Sequence, residues 1–120
     1  MSTDRLLLYL KEIDVAASRI GDFIRDMDED DFSRDTRTQM AVMMGLALIG
    51  EAVAKIDRHY PAFLQQHPDI PWMKMKGMRN LIVHDYFRAE ISVVWKTIKQ
   101  SIPDLQTRLS LLRNWHAQGE

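Results

Sequence analysis

The chain has no cysteine, which excludes disulfides, thiolate metal sites and cysteine nucleophiles. It has no surplus of either charge: 16 basic against 17 acidic residues leave a formal net charge of −1. That balance argues against a protein that coats nucleic acid non-specifically, while leaving room for a small cleft that grips one backbone. No segment alternates apolar with polar residues, and the β-branched residues fall at helical spacings, so no strand is expected. Internal repeats and low-complexity tracts are also lacking. Met1 to Arg5 precede a short apolar run broken by Lys11, Glu12 and Asp14. This reads as neither a signal peptide nor a membrane span, so the cytoplasm is the expected location.

What is present is one domain's worth of chain, taken as a single helical domain over residues 1–120. An apolar fraction of 46% is enough for a core and excludes general disorder. At this size an oligomeric interface can supply much of the buried surface. Leu6, Leu10, Ile13, Ala17, Ile20, Ile24 and Met27 recur every three or four residues. They predict a first amphipathic helix, capped by Thr3 or Asp4 and ending in the acidic run Asp26 to Asp31, itself read as a solvated loop. A second helix from Arg37 to about Tyr60 has an apolar face too broad for one neighbour, as a central or interface helix would. Gly45 and Gly50 within it weaken the helix and suggest close backbone approach.

Pro61, Pro68 and Pro71 punctuate the next stretch, leaving Ala62 to Gln66 a short helical turn. Pro71 fits the first turn of a third helix ending near Phe87. Glu90 to Ile102 predicts a fourth, and Pro103 opens a fifth with Leu105, Leu109, Leu112 and Trp115 inward. The expected architecture is an all-α antiparallel bundle of four long helices and a short one. Met40, Met43, Met44, Met73, Met75 and Met78 read as gap-filling core or dimer contacts, and Trp72, Trp95 and Trp115 as anchors.

The third helix carries Arg79-Asn80-Leu81-Ile82-Val83-His84-Asp85-Tyr86. Imidazole exchanges protons near neutral pH, and guanidinium stays charged and fits phosphate oxygens, so the pair suits chemistry on a phosphodiester. The structural alternative is a surface arginine and a satisfied helix histidine. Asn80 and His84 lie one turn apart on one face, so the amide can orient the imidazole. Arg79 lies about 140° from His84 but only about 20° from Tyr86 at 100° per residue. Either the arginine reaches across its own helix, or a two-fold axis pairs two such helices around one groove. Glu51, at the edge of the second helix's apolar face, is a candidate partner for Arg79 or His84 or else a boundary glutamate pointing outward. Asp, Glu and His residues show no metal-ligand spacing, so no metal site is expected.

These residues resemble the HepT-like toxins, whose fold belongs to the HEPN superfamily of all-helical RNases. Its hallmark is Arg, four to six residues, then His, often continued as His-x-Tyr, as in Arg79 to His84 and Tyr86. Ile49-Gly50-Glu51-Ala52, His67-Pro68-Asp69-Ile70-Pro71-Trp72 and Val94-Trp95 look like the same family, in its order and spacing. Asp85 is a departure, since many members carry Gly there, and it adds negative charge beside the phosphate site.

The resemblance implies a homodimer with a metal-independent endoribonuclease cleft at its interface, acting on RNA and needing no cofactor. It also implies a type VII-like toxin–antitoxin system. The antitoxin would be a minimal, MntA-like nucleotidyltransferase that uses ATP to place AMP on Tyr86. Chemically, His84 would move the proton of the ribose 2′-OH or of the leaving oxygen, and Arg79 would clamp the phosphate. Asn80, Glu51 and Asp85 would support them. The alternative is a non-catalytic helical partner that only binds a nucleotide or the nucleotidyltransferase.

Overall fold

The computed structural model describes residues 4–119, with side chains through residue 112. Thr3 as a cap and the side chain of Trp115 as an anchor lie outside the described residues. Every regular element among the described residues is helical, as the spacing pattern requires. Helix α1, Asp4–Phe23, buries Leu6, Leu10, Ile13, Ala17 and Ile20. It ends before the acidic run, and Asp26 then takes the left-handed conformation with φ 66°. Asp is one of the few residues that adopts it at small cost. Ile24 and Met27 therefore follow α1 rather than extend it, although Ile24 is still buried.

The acidic run is not simply a loop. Residues Glu29–Ser33 form the short helix α2. The Asp28 carboxylate accepts the Asp31 N–H at 2.8 Å, and the Asp28 N–H donates to the Asp31 carboxylate at 3.1 Å. This reciprocal cap, with acidic side chains at the positive end of the helix, converts a charge run into structure. Phe32 anchors it, fully buried with its ring 5.3 Å from that of Trp95.

Helix α3, Thr36–His59, is the central element, with α1 against one side and α5 against another. It is long and apolar enough to cross a membrane by length and composition. Here that apolar character is used on neighbours: Val42, Met43, Leu46, Ile49, Val53 and Ile56 are all buried. A β-carbon on Gly45 would lie 2.7 Å from Ile20 Cγ1, so the missing side chain lets α1 pack close.

Helix α4, Pro61–Gln66, is the expected short turn, and α5, Trp72–Asp85, carries the motif. Pro71 sits just outside α5 rather than in its first turn. Its φ of −80° and ψ of 65° close a tight turn in which the Trp72 N–H reaches the Ile70 carbonyl at 2.8 Å. Trp72 is buried, and its indole N–H donates to the His67 carbonyl at 2.9 Å. Asp69 pairs with Arg108 at 2.9 Å. The His67 to Trp72 stretch thus fixes where the motif helix begins.

Two boundaries differ from expectation. Helix α5 stops at Asp85, whose φ of −154° leaves the helical region, and Tyr86–Arg88 form a separate 3₁₀ turn. Helix α6, Ile91–Lys96, runs through a π turn, Thr97–Ser101, directly into α7, Ile102–Gly119. The Ile102 N–H bonds the Thr97 carbonyl five residues back. Pro103 has no N–H to donate, and one widened turn absorbs that loss without breaking the rod. The expected fourth and fifth helices are therefore continuous. Of the methionines, Met43 is buried and Met75 and Met78 pack against the core, while Met40, Met44 and Met73 are exposed.

Candidate active site

Helices α3 and α5 run antiparallel, since Asp57 meets Lys76 at 3.1 Å while the earlier Gly50 meets the later Arg79. Gly50 is what lets them close. The Arg79 β-carbon sits over it, so the arginine side chain leaves the interface beside the next residue of α3, Glu51. Arg79 Nε is 3.7 Å from Glu51 Oε2, an ion pair longer than a hydrogen bond. Arg79 Nε is buried with no hydrogen-bond partner. The Arg79 side chain is 21% exposed and that of Glu51 47%, so the pair opens to solvent on the glutamate's side. The carboxylate holds the cation in place while the guanidinium makes no hydrogen bond among the described residues.

Asn80, His84 and Asp85 are exposed, on α5. The helix is unbroken from Arg79 to His84, so the offset of about 140° stands and nothing joins the two side chains in one chain. No hydrogen bond links Asn80 to His84 among the described residues, so the expected orienting contact is not made. Tyr86 is half-buried, with its ring edge-on to Phe87 at a centroid distance of 5.3 Å. Because the helix breaks before Tyr86, its direction does not follow the ideal wheel, and the expected angle of about 20° to Arg79 does not carry over.

Asp85 pairs with Arg88 Nε at 3.1 Å, a contact the spacing alone did not single out. The carboxylate that departs from the family pattern thereby has its own cation. The cations on and beside the motif helix are likewise largely paired: Lys76 with Asp57, Arg79 with Glu51 and Arg88 with Asp85. Among the described residues no three carboxylate or imidazole groups stand close enough to hold a metal ion.

An exposed apolar stripe leads to this site. Met40, Met44 and Leu48 follow one another at intervals of four on α3, each more than half exposed, and Glu51 continues the row. Beside it, α1 and α3 enclose an open cavity of about 500 Å³ floored by Val15, Phe23, Met44 and Leu48, with Lys11 and Arg19 at its rim. A second cavity of about 480 Å³ lies at the other end of the stripe, between Met40, Met43, Tyr86, Phe87 and Ile91.

Comparison with known proteins places the chain in a family. The sequence pattern described as ribonuclease HepT-like matches residues 13–112. The chain is 40% identical over 105 residues to "Probable ribonuclease HepT" of Thermococcus cleftensis, covering 88% of this chain and 93% of that one. It is 29% identical over 112 residues to "Putative RNase MJ1380" of Methanocaldococcus jannaschii, covering 93% of this chain and all of that one. No solved structure matches the chain. With the match spanning both α3 and the motif helix, the chain belongs to the ribonuclease HepT-like family.

Proposed function

We propose that this protein is the toxin of a toxin–antitoxin pair, an endoribonuclease whose cleft forms between two copies of the chain in the cytoplasm. The observation that carries the reading is the Arg79–Glu51 pair: a cation fixed by a carboxylate, with hydrogen-bond donors uncommitted, on the helix that presents His84. Guanidinium donors of that kind suit the non-bridging oxygens of a phosphodiester as charge builds on them. In the reaction the ribose 2′-oxygen bonds to phosphorus, the bond to the 5′-oxygen breaks, and a cyclic phosphate and a 5′-hydroxyl result. His84 takes the 2′-OH proton or delivers one to the leaving oxygen, with its copy in the other role. DNA, lacking the 2′-OH, binds without being cut.

A second copy answers the separation of Arg79 from His84. The Met40–Met44–Leu48 stripe is the apolar surface such a copy would cover, and Glu51 at its end would bring both Arg79 side chains to the axis. The antitoxin in this reading is a nucleotidyltransferase that moves AMP from ATP to the Tyr86 oxygen, releasing pyrophosphate. Tyr86 is half-buried, and its hydroxyl has no hydrogen-bond partner among the described residues. The added phosphodiester and purine would occupy the groove that RNA needs.

The decisive experiment is RNA cleavage by wild type, His84→Ala and Arg79→Ala in EDTA. Each substitution is expected to cost on the order of 10²-fold or more in rate, and chelation nothing. Activity that stops in EDTA and returns with Mg²⁺ would instead assign a metal-dependent site.

A further inference from the structure

Phe87 is 95% exposed, the most exposed large apolar side chain among the described residues. It belongs to the 3₁₀ turn that begins where the motif helix ends, three residues after His84. A phenyl ring left in water gains stability from any apolar surface that covers it, so this turn offers a ready contact. Its surroundings narrow that contact. Its neighbours in the chain Asp85, Arg88 and Glu90 are exposed and charged, and the Tyr86 ring stands edge-on to it at a centroid distance of 5.3 Å, so a pair of rings sits within a polar stretch. Protein interfaces are depleted of charge at their cores, so this stretch suits a polar ligand with one flat apolar face.

The cavity beside Phe87 has the matching form. It holds about 480 Å³, within the range of about 300–1,000 Å³ that small-molecule sites occupy. Met43, Ile91 and the Tyr86 ring supply apolar walls, and Thr36 and Gln39 supply hydrogen-bonding groups. The Gln39 amide is fixed by donating to the Phe32 carbonyl at 2.8 Å. Tyr86 and Phe87, which line this cavity, follow directly on the end of the helix that presents His84, so the cavity lies beside that end of the motif.

We infer that Phe87 and the cavity behind it form a nucleobase subsite, on which an unpaired base of single-stranded RNA stacks while the neighbouring phosphate lies at the cleft. The inference rests on the RNase reading and adds the substrate class: unpaired RNA, because a base inside a duplex has no free face to offer. Any base has such a face, so the subsite selects strandedness rather than sequence.

The test uses full-length protein and a fluorescent single-stranded RNA of mixed sequence, 2′-O-methylated throughout so that it cannot be cut. Phe87→Ala is expected to bind it about 10-fold more weakly, Phe87→Trp to retain binding, and Phe87→Leu to behave like alanine. The same RNA made abasic throughout should bind all four proteins alike, and a duplex of the same sequence should be indifferent to the substitution. Equal binding by Phe87→Ala and wild type overturns the subsite. So does full rescue by leucine, or a loss that accompanies dissociation to monomers in light scattering, which would make Phe87 a contact between copies. If wild type cuts RNA while the Phe87 variants bind like it, the subsite falls and the RNase reading stands. If wild type binds no RNA, both fall.

Discussion

Gly50 and Arg79 occupy one point of the α3–α5 interface. A β-carbon on Gly50 would lie 2.2 Å from the Arg79 β-carbon and 2.6 Å from the Met75 carbonyl oxygen. Neither obstacle is the loose end of a side chain, so α5 would have to move. Gly50→Ala is therefore expected to destabilise the protein by about 1–3 kcal/mol or more through overpacking, despite a gain in helix propensity. Gly21 in α1 is the control, since a β-carbon there meets nothing within 4 Å. Gly21→Ala should be neutral or stabilising by up to about 1 kcal/mol. Urea unfolding of both variants checks the pair.

The exposed α3 stripe leads to an expectation about assembly. Replacing Met44 and Leu48, exposed by 61% and 52%, with glutamate should leave helical content intact. It should convert a dimer to a 14.0 kDa species in light scattering. Cleavage should be lost with the dimer if the cleft is composite. A wild-type protein that is already monomeric at micromolar concentration would defeat the expectation.

Tyr86 should be a regulatory residue rather than a catalytic one. The proton transfers of the proposed reaction fall to His84 and its copy, which leaves the phenol no catalytic task. Tyr86→Phe should therefore keep cleavage, with modestly weaker RNA binding at most. Incubated with the partner transferase and ATP, wild type should gain AMP in intact-mass spectra and Tyr86→Phe none. A modified Tyr86→Phe protein would move the acceptor to Tyr9, which is buried, or Tyr60.

Asp35 ties stability to pH. Its carboxylate accepts the Thr38 N–H at 3.0 Å and the Thr38 hydroxyl at 2.7 Å, and these bonds lower its pKa below the usual carboxylate value. A lowered folded-state pKa gives stability that is present above the unfolded value of about 3.9 and lost as pH falls through the folded one. Asp35→Ala should thus melt earlier than wild type at neutral pH. The gap should narrow in melts taken below about pH 4.

Much of this was legible before any coordinates. The apolar spacing set the helices, because a buried stripe at 3.6 residues per turn has few other solutions. The order of Arg79, His84 and Tyr86 marked the family, since family patterns are properties of the chain itself. Gly45 and Gly50 pointed to close approach because glycine within a helix otherwise only weakens it. What the sequence left open were relations between distant residues or choices between nearly equal local states. The end of α5 at Asp85, the capped helix within the acidic run and the π turn before Pro103 each turn on a few local hydrogen bonds. Packing decided those. The partner of Arg79, the pairing of Asp85 with Arg88 and the bare ring of Phe87 are likewise tertiary facts. Composition specified which groups the chain owns, whereas the antiparallel docking of α5 on α3 decided which of them meet and which face water.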